Sequence, residues 1–322
     1  MKILFLLLLL GTLVPVQQAQ TTGTTQQPES VQAPGGRSEG ENGITTLRTS
    51  VQEVSVIFTA TNKKGQFKRD LRPTDVAVFD DGKPPAAVRS FRSETDLPLR
   101  VGLVFDVSGS ISDRFNFEQE SAIRFFSQVL RKGTDKAFVV AFDSTPTLTQ
   151  DFTDEPALLA QGVKKLTPAG GSAVYDAIHL AATKKLMDTV ADRPVRRIII
   201  LISDGEDNQS RVNVPEVIEA AHRAEVTVYA ISTNTSNVVT RGDKVMRQLA
   251  EETGGRAFFP NKIEDVVRAF NKIQDELRSQ YALSYKPADF DADGHYRRIS
   301  IQALNDKHLI IRARKGYFAP NR

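Results

Sequence analysis

The 322-residue chain contains no cysteine. That absence excludes a disulfide framework, a lipid-modified cysteine anchor and any thiolate metal site. The fold must then be held by its core alone, which is feasible at this length. The chain also lacks an excess of one charge, since 42 basic and 39 acidic residues leave a formal net charge of +3. With no Lys/Arg run interleaved with aromatics, there is no electrostatic case for a nucleic-acid partner. Long hydrophobic runs are equally scarce. One opens the chain, and none reaches the roughly 20 apolar residues that cross a bilayer, so no transmembrane span is expected in the mature chain. The only histidines are His179, His222, His295 and His308, and none sits where a candidate core strand ends. A serine nucleophile would find no base there, and no Gly-x-Ser-x-Gly elbow surrounds the serines, so an enzyme is not expected.

Lys2, the apolar run Ile3–Leu10 and the small or polar residues after Pro15 describe a secretory signal, with cleavage expected near Ala19. We therefore expect an exported protein, periplasmic or secreted. Residues 20–43 are Thr, Gln, Gly, Ser, Pro and Glu with almost no large apolar side chain. Such a linker cannot bury enough surface to offset its ordering entropy.

Residues 44–98 change character. Val54, Val56 and Phe58 alternate as in a half-buried strand, Asn62–Gly65 makes a turn, and Val76–Phe79 and Val88–Phe91 follow as short strands. The unit is too thin to be stable by itself. Residues 280–322 return to the same pattern, with Tyr281, Leu283 and Tyr285, then Tyr296–Ile301, then Leu309–Ile311. These strands are expected to complete the 44–98 unit as one small β-sandwich.

Between them, residues 99–279 alternate buried-strand runs (Val101–Phe105, Ala137–Phe142, Arg197–Ile202, Val226–Ile231) with helical patterns. In one helical pattern Ala122, Phe125, Phe126, Val129 and Leu130 recur; Ala177, Leu180, Ala181 and Leu186 form a second, and Pro215 opens a third. Continuous apolar strands alternating with helices mean a doubly wound, mostly parallel α/β sheet, here inserted in or flanked by the small sandwich.

Ligands in such a sheet sit outside the carboxyl ends of the strands. There the first core strand ends in Asp106-Val107-Ser108-Gly109-Ser110, and a later one in Ser203-Asp204-Gly205. Gly170-Gly171-Ser172 stands just before a helix. Separately these are an ordinary loop, an N-cap and a turn. Together they offer oxygen alone, which suits a hard dication such as Mg²⁺ or Ca²⁺ and disfavours zinc.

Asp106-x-Ser108-x-Ser110, Gly-Gly-Ser172 and Ser203-Asp204-Gly205 resemble the metal-ion-dependent adhesion site of von Willebrand factor type A domains, over roughly residues 99–279. Leu249–Gly255 resembles that family's late helix and turn, and the flanking β segments resemble a bacterial exported subfamily. By that resemblance Ser108, Ser110 and Ser172 contact a divalent cation, Mg²⁺ first with Mn²⁺ or Ca²⁺ as alternatives. Asp106 and Asp204 neutralise it, and a carboxylate of a partner protein fills an open position. The family usually has threonine at Ser172, and serine keeps the hydroxyl while losing the methyl that restricts its rotamer.

The function expected is metal-dependent protein binding. A metal-independent envelope scaffold and a metal-assisted hydrolase are the competing readings. Two other motifs are discounted. Asp289-x-Asp291-x-Asp293-Gly294 copies half of a calcium loop but has Ser300 where the closing glutamate belongs, and strands rather than helices flank it. Arg241-Gly242-Asp243 precedes a helix, where a turn and an N-terminal Asp are ordinary.

Overall fold

The computed structural model describes residues 53–93, 96–108, 113–187, 194–236 and 238–321. The expected signal and linker lie outside these residues, and so does Ser110. β1 (Val54–Thr61), β2 (Val76–Asp80) and β3 (Ala87–Ser93) lead into β4 (Leu99–Asp106). Then come α1 (Asp113–Val129), β5 (Lys136–Phe142), β6 (Pro146–Thr153), α2 (Pro156–Lys164) and α3 (Val174–Leu180), which continues as π turns over Ala181–Met187. β7 (Arg196–Ser203), α4 (Val214–Arg223), β8 (Val226–Ser232), α5 (Arg241–Thr253), β9 (Ala257–Phe258) and α6 (Ile263–Leu277) complete the α/β part. β10 (Gln280–Lys286), β11 (Tyr296–Ala303), β12 (Ile310–Ala313) and β13 (Gly316–Phe318) close the chain.

The large sheet runs β6-β5-β4-β7-β8-β9, with only β6 antiparallel. Its central strands are apolar throughout because side chains alternate between two covered faces. On β7, Ile198, Ile200 and Ile202 enter the core made with α1, α2 and α6. Ile199 and Leu201 enter the core made with α3, α4 and α5. Each such fully buried side chain contributes roughly 1.5–3 kcal/mol. β5 lies on one side of β4 and β7 on the other, so the winding reverses at β4 and a crevice opens at its carboxyl end.

The flanking strands form two small antiparallel sheets, β12-β1-β10-β3 and β13-β11-β2. Val56, Phe58 and Tyr285 from one meet Val78, Ile299 and Tyr317 from the other in a third core. This is a sandwich in which each sheet combines strands that precede the α/β part with strands that follow it. Inside it, Asp80 accepts hydrogen bonds from Tyr285 Oη at 2.7 Å and Tyr317 Oη at 3.0 Å.

Sandwich and α/β part meet along a stitched seam. Glu276, 1% exposed near the end of α6, accepts from Tyr229 Oη of β8 at 2.8 Å and pairs with Arg312 of β12. Arg196 at the start of β7 donates to Leu277 O at 2.6 Å and to Gln280 Oε1 at 2.9 Å. Gly254 ends α5 with φ +82°, and a Cβ there would lie 2.5 Å from Arg314 N of the sandwich. Gly254→Ala should therefore destabilise the protein by about 1–3 kcal/mol. The check is a lower urea midpoint at unchanged m value, with unaltered stability counting against this seam.

Candidate functional site

Asp106, the last residue of β4, is only 9% exposed. Its Oδ1 accepts from Ser108 N at 2.9 Å and its Oδ2 from Ser203 Oγ at 2.6 Å. Ser203 ends the neighbouring strand β7, is fully buried, and accepts from Gly205 N at 2.9 Å. Burial raises the Asp106 carboxyl above its ordinary range; the bonds from Ser108 and Ser203 oppose that, and the charge of Asp204 adds to it. Among the described residues, neither Asp106 nor Asp204 takes part in an ion pair. A buried carboxylate without a cationic side chain is a site with negative charge to spare.

The Ser172 loop is laid across this point by its backbone. Ala169 N donates to Val107 O at 2.6 Å and Ala173 N to Asp143 O at 2.7 Å, which fixes the loop to the ends of β4 and β5. Ser172 Oγ donates to Glu206 O at 2.7 Å, Ser172 N donates to Asn208 Oδ1 at 3.0 Å, and Ser172 O accepts from Asn208 N and Gln209 N. The residue capping α3 is Ala173, so Ser172 is not its N-cap. A hydroxyl that donates to a backbone carbonyl still has oxygen lone pairs to offer. Asp204, half-buried, bends back to accept from Glu206 N at 3.0 Å.

The loop after β7 is itself held by α5. A Cβ on Gly242 would collide with the Asp204 carbonyl, and Gly242 N donates to Glu206 Oε1 at 2.9 Å. This settles the Arg-Gly-Asp tripeptide. Asp243 is 4% exposed and accepts from Ser232 Oγ, Asn234 Nδ2 and Thr240 N, so it is bound inward in the first turn of α5. The structure thus joins Asp106 and Ser108 directly, sets Asp204 next in sequence to Ser203, the other partner of Asp106, and ties Ser172 to the same 203–209 loop. Ser203, Glu206 and Asn208 had no role assigned from sequence.

Among the described residues no group of three or more carboxylate or imidazole side chains clusters as a metal site. The rim instead combines two carboxylates with hydroxyls. In the half calcium loop the centre is taken by a guanidinium: Arg297 donates to Asp289 O and Asp291 O at 3.0 Å each and to Asp293 Oδ2 at 3.1 Å. A second group missed from sequence is Glu118 on α1, 3% exposed and paired with Arg114 at 2.9 Å. Burial pushes its carboxyl up to about 7 against the pull of Arg114, with the charge of Asp106 adding to the rise. Arg114 in turn donates to Ser232 O at the end of β8.

Residues 101–275 match the von Willebrand factor type A domain. A minor fimbrium subunit, Mfa5 of Porphyromonas gingivalis, is 31% identical over 117 residues, which is 34% of this chain and 9% of that subunit. The chain thus spans about a tenth of that relative. Among solved structures, the vWF domain of the type V pili tip protein Mfa5 from P. gingivalis aligns at 15% identity and TM-score 0.45, covering 56% of this chain and 94% of that one. Proximal thread matrix protein 1 from the mussel byssus, with a zinc-occupied MIDAS motif, aligns at 16% identity and TM-score 0.49, covering 62% of this chain and 49% of that one.

Glu118 gives the rim a pH signature. Its folded pKa lies above its unfolded value, so the folded state holds the proton more tightly and the penalty for burying its charge is present above about pH 7. That penalty falls away as pH drops from about 7 toward the ordinary glutamate range. In EDTA-treated protein, wild type should therefore gain stability relative to Glu118→Gln as pH falls from about 8 to 5, by up to a few kcal/mol. A stability difference that is flat across this range in chemical denaturation would contradict the burial argument.

Proposed function

The chain belongs to the von Willebrand factor type A domain family, whose match spans more than half of its length, and from that premise we propose that it binds a protein partner through a divalent cation. The fold is that of a protein-interaction module. The observation that carries the metal-dependent reading is Asp106: a buried carboxylate at the sheet's switch point, hydrogen-bonded by Ser108 and Ser203 and, among the described residues, without a cationic side chain in an ion pair with it. Asp106, Ser108, Ser172 and Asp204, with Ser110, which lies outside the described residues, would hold the ion. The donor set is oxygen alone, and it fits Mg²⁺ before Mn²⁺ or Ca²⁺. Bound there, the cation supplies a Lewis-acidic position that a partner carboxylate occupies. Ser203 orients Asp106, and Glu206 and Asn208 keep Ser172 in place.

The same reading makes the protein exported, on the strength of its N-terminal apolar run, and a binding module rather than an enzyme. No helix among the described residues is long and apolar enough to cross a membrane.

Isothermal titration of the purified chain with Mg²⁺, Mn²⁺ and Ca²⁺ tests the proposal. Wild type should bind one ion saturably, and Asp106→Ala should lose at least 10-fold in affinity while keeping its circular dichroism spectrum; no binding by wild type sinks the reading. A partner captured from the envelope fraction should be released by EDTA, whereas retention in EDTA supports the metal-independent scaffold.

A further inference from the structure

At the opposite end of the large sheet from the rim, the seam between β7, β8 and the sandwich encloses a pocket that the rim chemistry does not use. Its volume is about 120 Å³. Four guanidiniums (Arg92, Arg196, Arg197 and Arg314) reach its lining, and Glu225 is the only carboxylate among the lining residues. Glu225 is a weak counter-charge. It is exposed, it lies 3.1 Å from Arg314 and 3.9 Å from Arg197, and its backbone is held at φ +52°. Arg314 and Arg197 thus line the pocket with one exposed carboxylate as their shared counter-charge.

Two of the lining residues keep buried nitrogens without a hydrogen bond. His222 of α4 is 3% exposed and neither ring nitrogen makes a hydrogen bond of good geometry, its nearest acceptor being the Gly316 backbone. Arg314 bonds Glu225 Oε1 and Ser55 O through its terminal nitrogens but keeps its buried Nε unbonded. The edge of the His222 ring meets Tyr296 at 5.4 Å between centroids, which fixes its orientation. Native proteins rarely leave buried donors unmatched, and such a group marks a ligand, a water or stored strain. Burial first, and the Arg314 charge second, bring His222 down to about 4 against the opposing pull of the Gly316 backbone. Its imidazole is therefore neutral near pH 7 with one N–H, which a ligand would have to draw from Gly316.

Much of the remaining wall is apolar (Ile57, Leu97, Ile198, Val226 and Ala282), with Ser55, Thr227, Thr253 and Gln280 between. Guanidiniums and hydrocarbon lining one small pocket match an anion that has an apolar body. Size narrows it further, since an apolar cavity of about 150 Å³ is filled by a benzene. Phosphate would meet the arginines but leave the apolar wall wet.

We propose that this seam pocket binds a short organic carboxylate, its carboxylate on Arg314, Arg197 and the His222 N–H and its hydrocarbon against Ile57, Leu97 and Ala282. The site does not depend on metal at the rim. Because its walls come from both the α/β part and the sandwich, an occupant would brace the seam that Arg196 and Glu276 already stitch.

Titration calorimetry on the full chain, in EDTA, with butyrate, its neutral isostere butyramide and inorganic phosphate tests the site. Butyrate should bind saturably, butyramide should give no binding heat, and phosphate should bind at least 10-fold more weakly than butyrate. Arg314→Met should weaken butyrate at least 10-fold. Arg92→Met, at an exposed position of β3, should weaken it severalfold. In wild type, the imidazole resonances of His222 should move with butyrate and its pKa should climb, a readout independent of either variant. No saturable binding of butyrate, equal binding of butyramide, phosphate the tighter ligand, wild-type affinity in both variants, or an unmoved His222 would each overturn the assignment.

Discussion

The burial of one carboxylate organises this molecule. Asp106 ends the central strand of a sheet whose flanking strands wind away in opposite directions, so its side chain points into the one crevice the topology cannot fill. Among the described residues hydroxyl and amide donors meet it, and its pKa is raised because burial outweighs those bonds. A charge in that position is costly unless a cation arrives, or the group takes up a proton. The surrounding structure is arranged around keeping it there. Ser203 is fixed by the register of β7, the Ser172 loop by backbone bonds to β4 and β5, and the loop after Asp204 by the close approach of Gly242 and the bond from Gly242 N to Glu206. Pre-set ligands of this kind lower the ordering cost of binding.

The same economy explains the attachment of the sandwich. Its two sheets share one core, but their strands come from segments on either side of the α/β part, so neither segment has a complete apolar face without the other. The short link from α6 into β10 passes directly through the Glu276–Arg312 and Arg196–Gln280 contacts. The rim and the seam thus lie at opposite ends of the same strands. β7 begins at Arg196 and ends at Ser203, which gives the two ends of the sheet a shared rigid element.

Much of this was legible in the sequence because the signals were local. Strands buried on both faces announce themselves as continuous apolar runs, and Asp106, Ser108 and Asp204 stand where such runs stop. Ser172 was placed by its position before a helix, although its hydroxyl serves the 203–209 loop rather than capping α3. What sequence reading missed was either weakly patterned or tertiary. β6 is a polar edge strand that opens with Pro146, so alternation is faint. α6 carries Val266, Ala269, Phe270, Ile273 and Leu277 at helical spacing, a signal that was available. The pairing of Ser203 with Asp106 spans 97 residues, and Glu118 reaches the rim only through the packing of α1. The guanidinium of Arg297 at the centre of the aspartate-rich loop is equally invisible to a motif search.

The central claim is that the Asp106 rim holds an ion with an exchangeable position open to an acidic partner. Water-proton relaxation in a Mn²⁺ titration reads that position directly, because bound manganese with exchangeable waters enhances relaxation. The account predicts strong enhancement on wild-type protein, loss of it in Asp106→Ala, and a fall when a glutamate-containing partner segment binds. Enhancement that is absent in wild type, or that persists unchanged in Asp106→Ala, would contradict it.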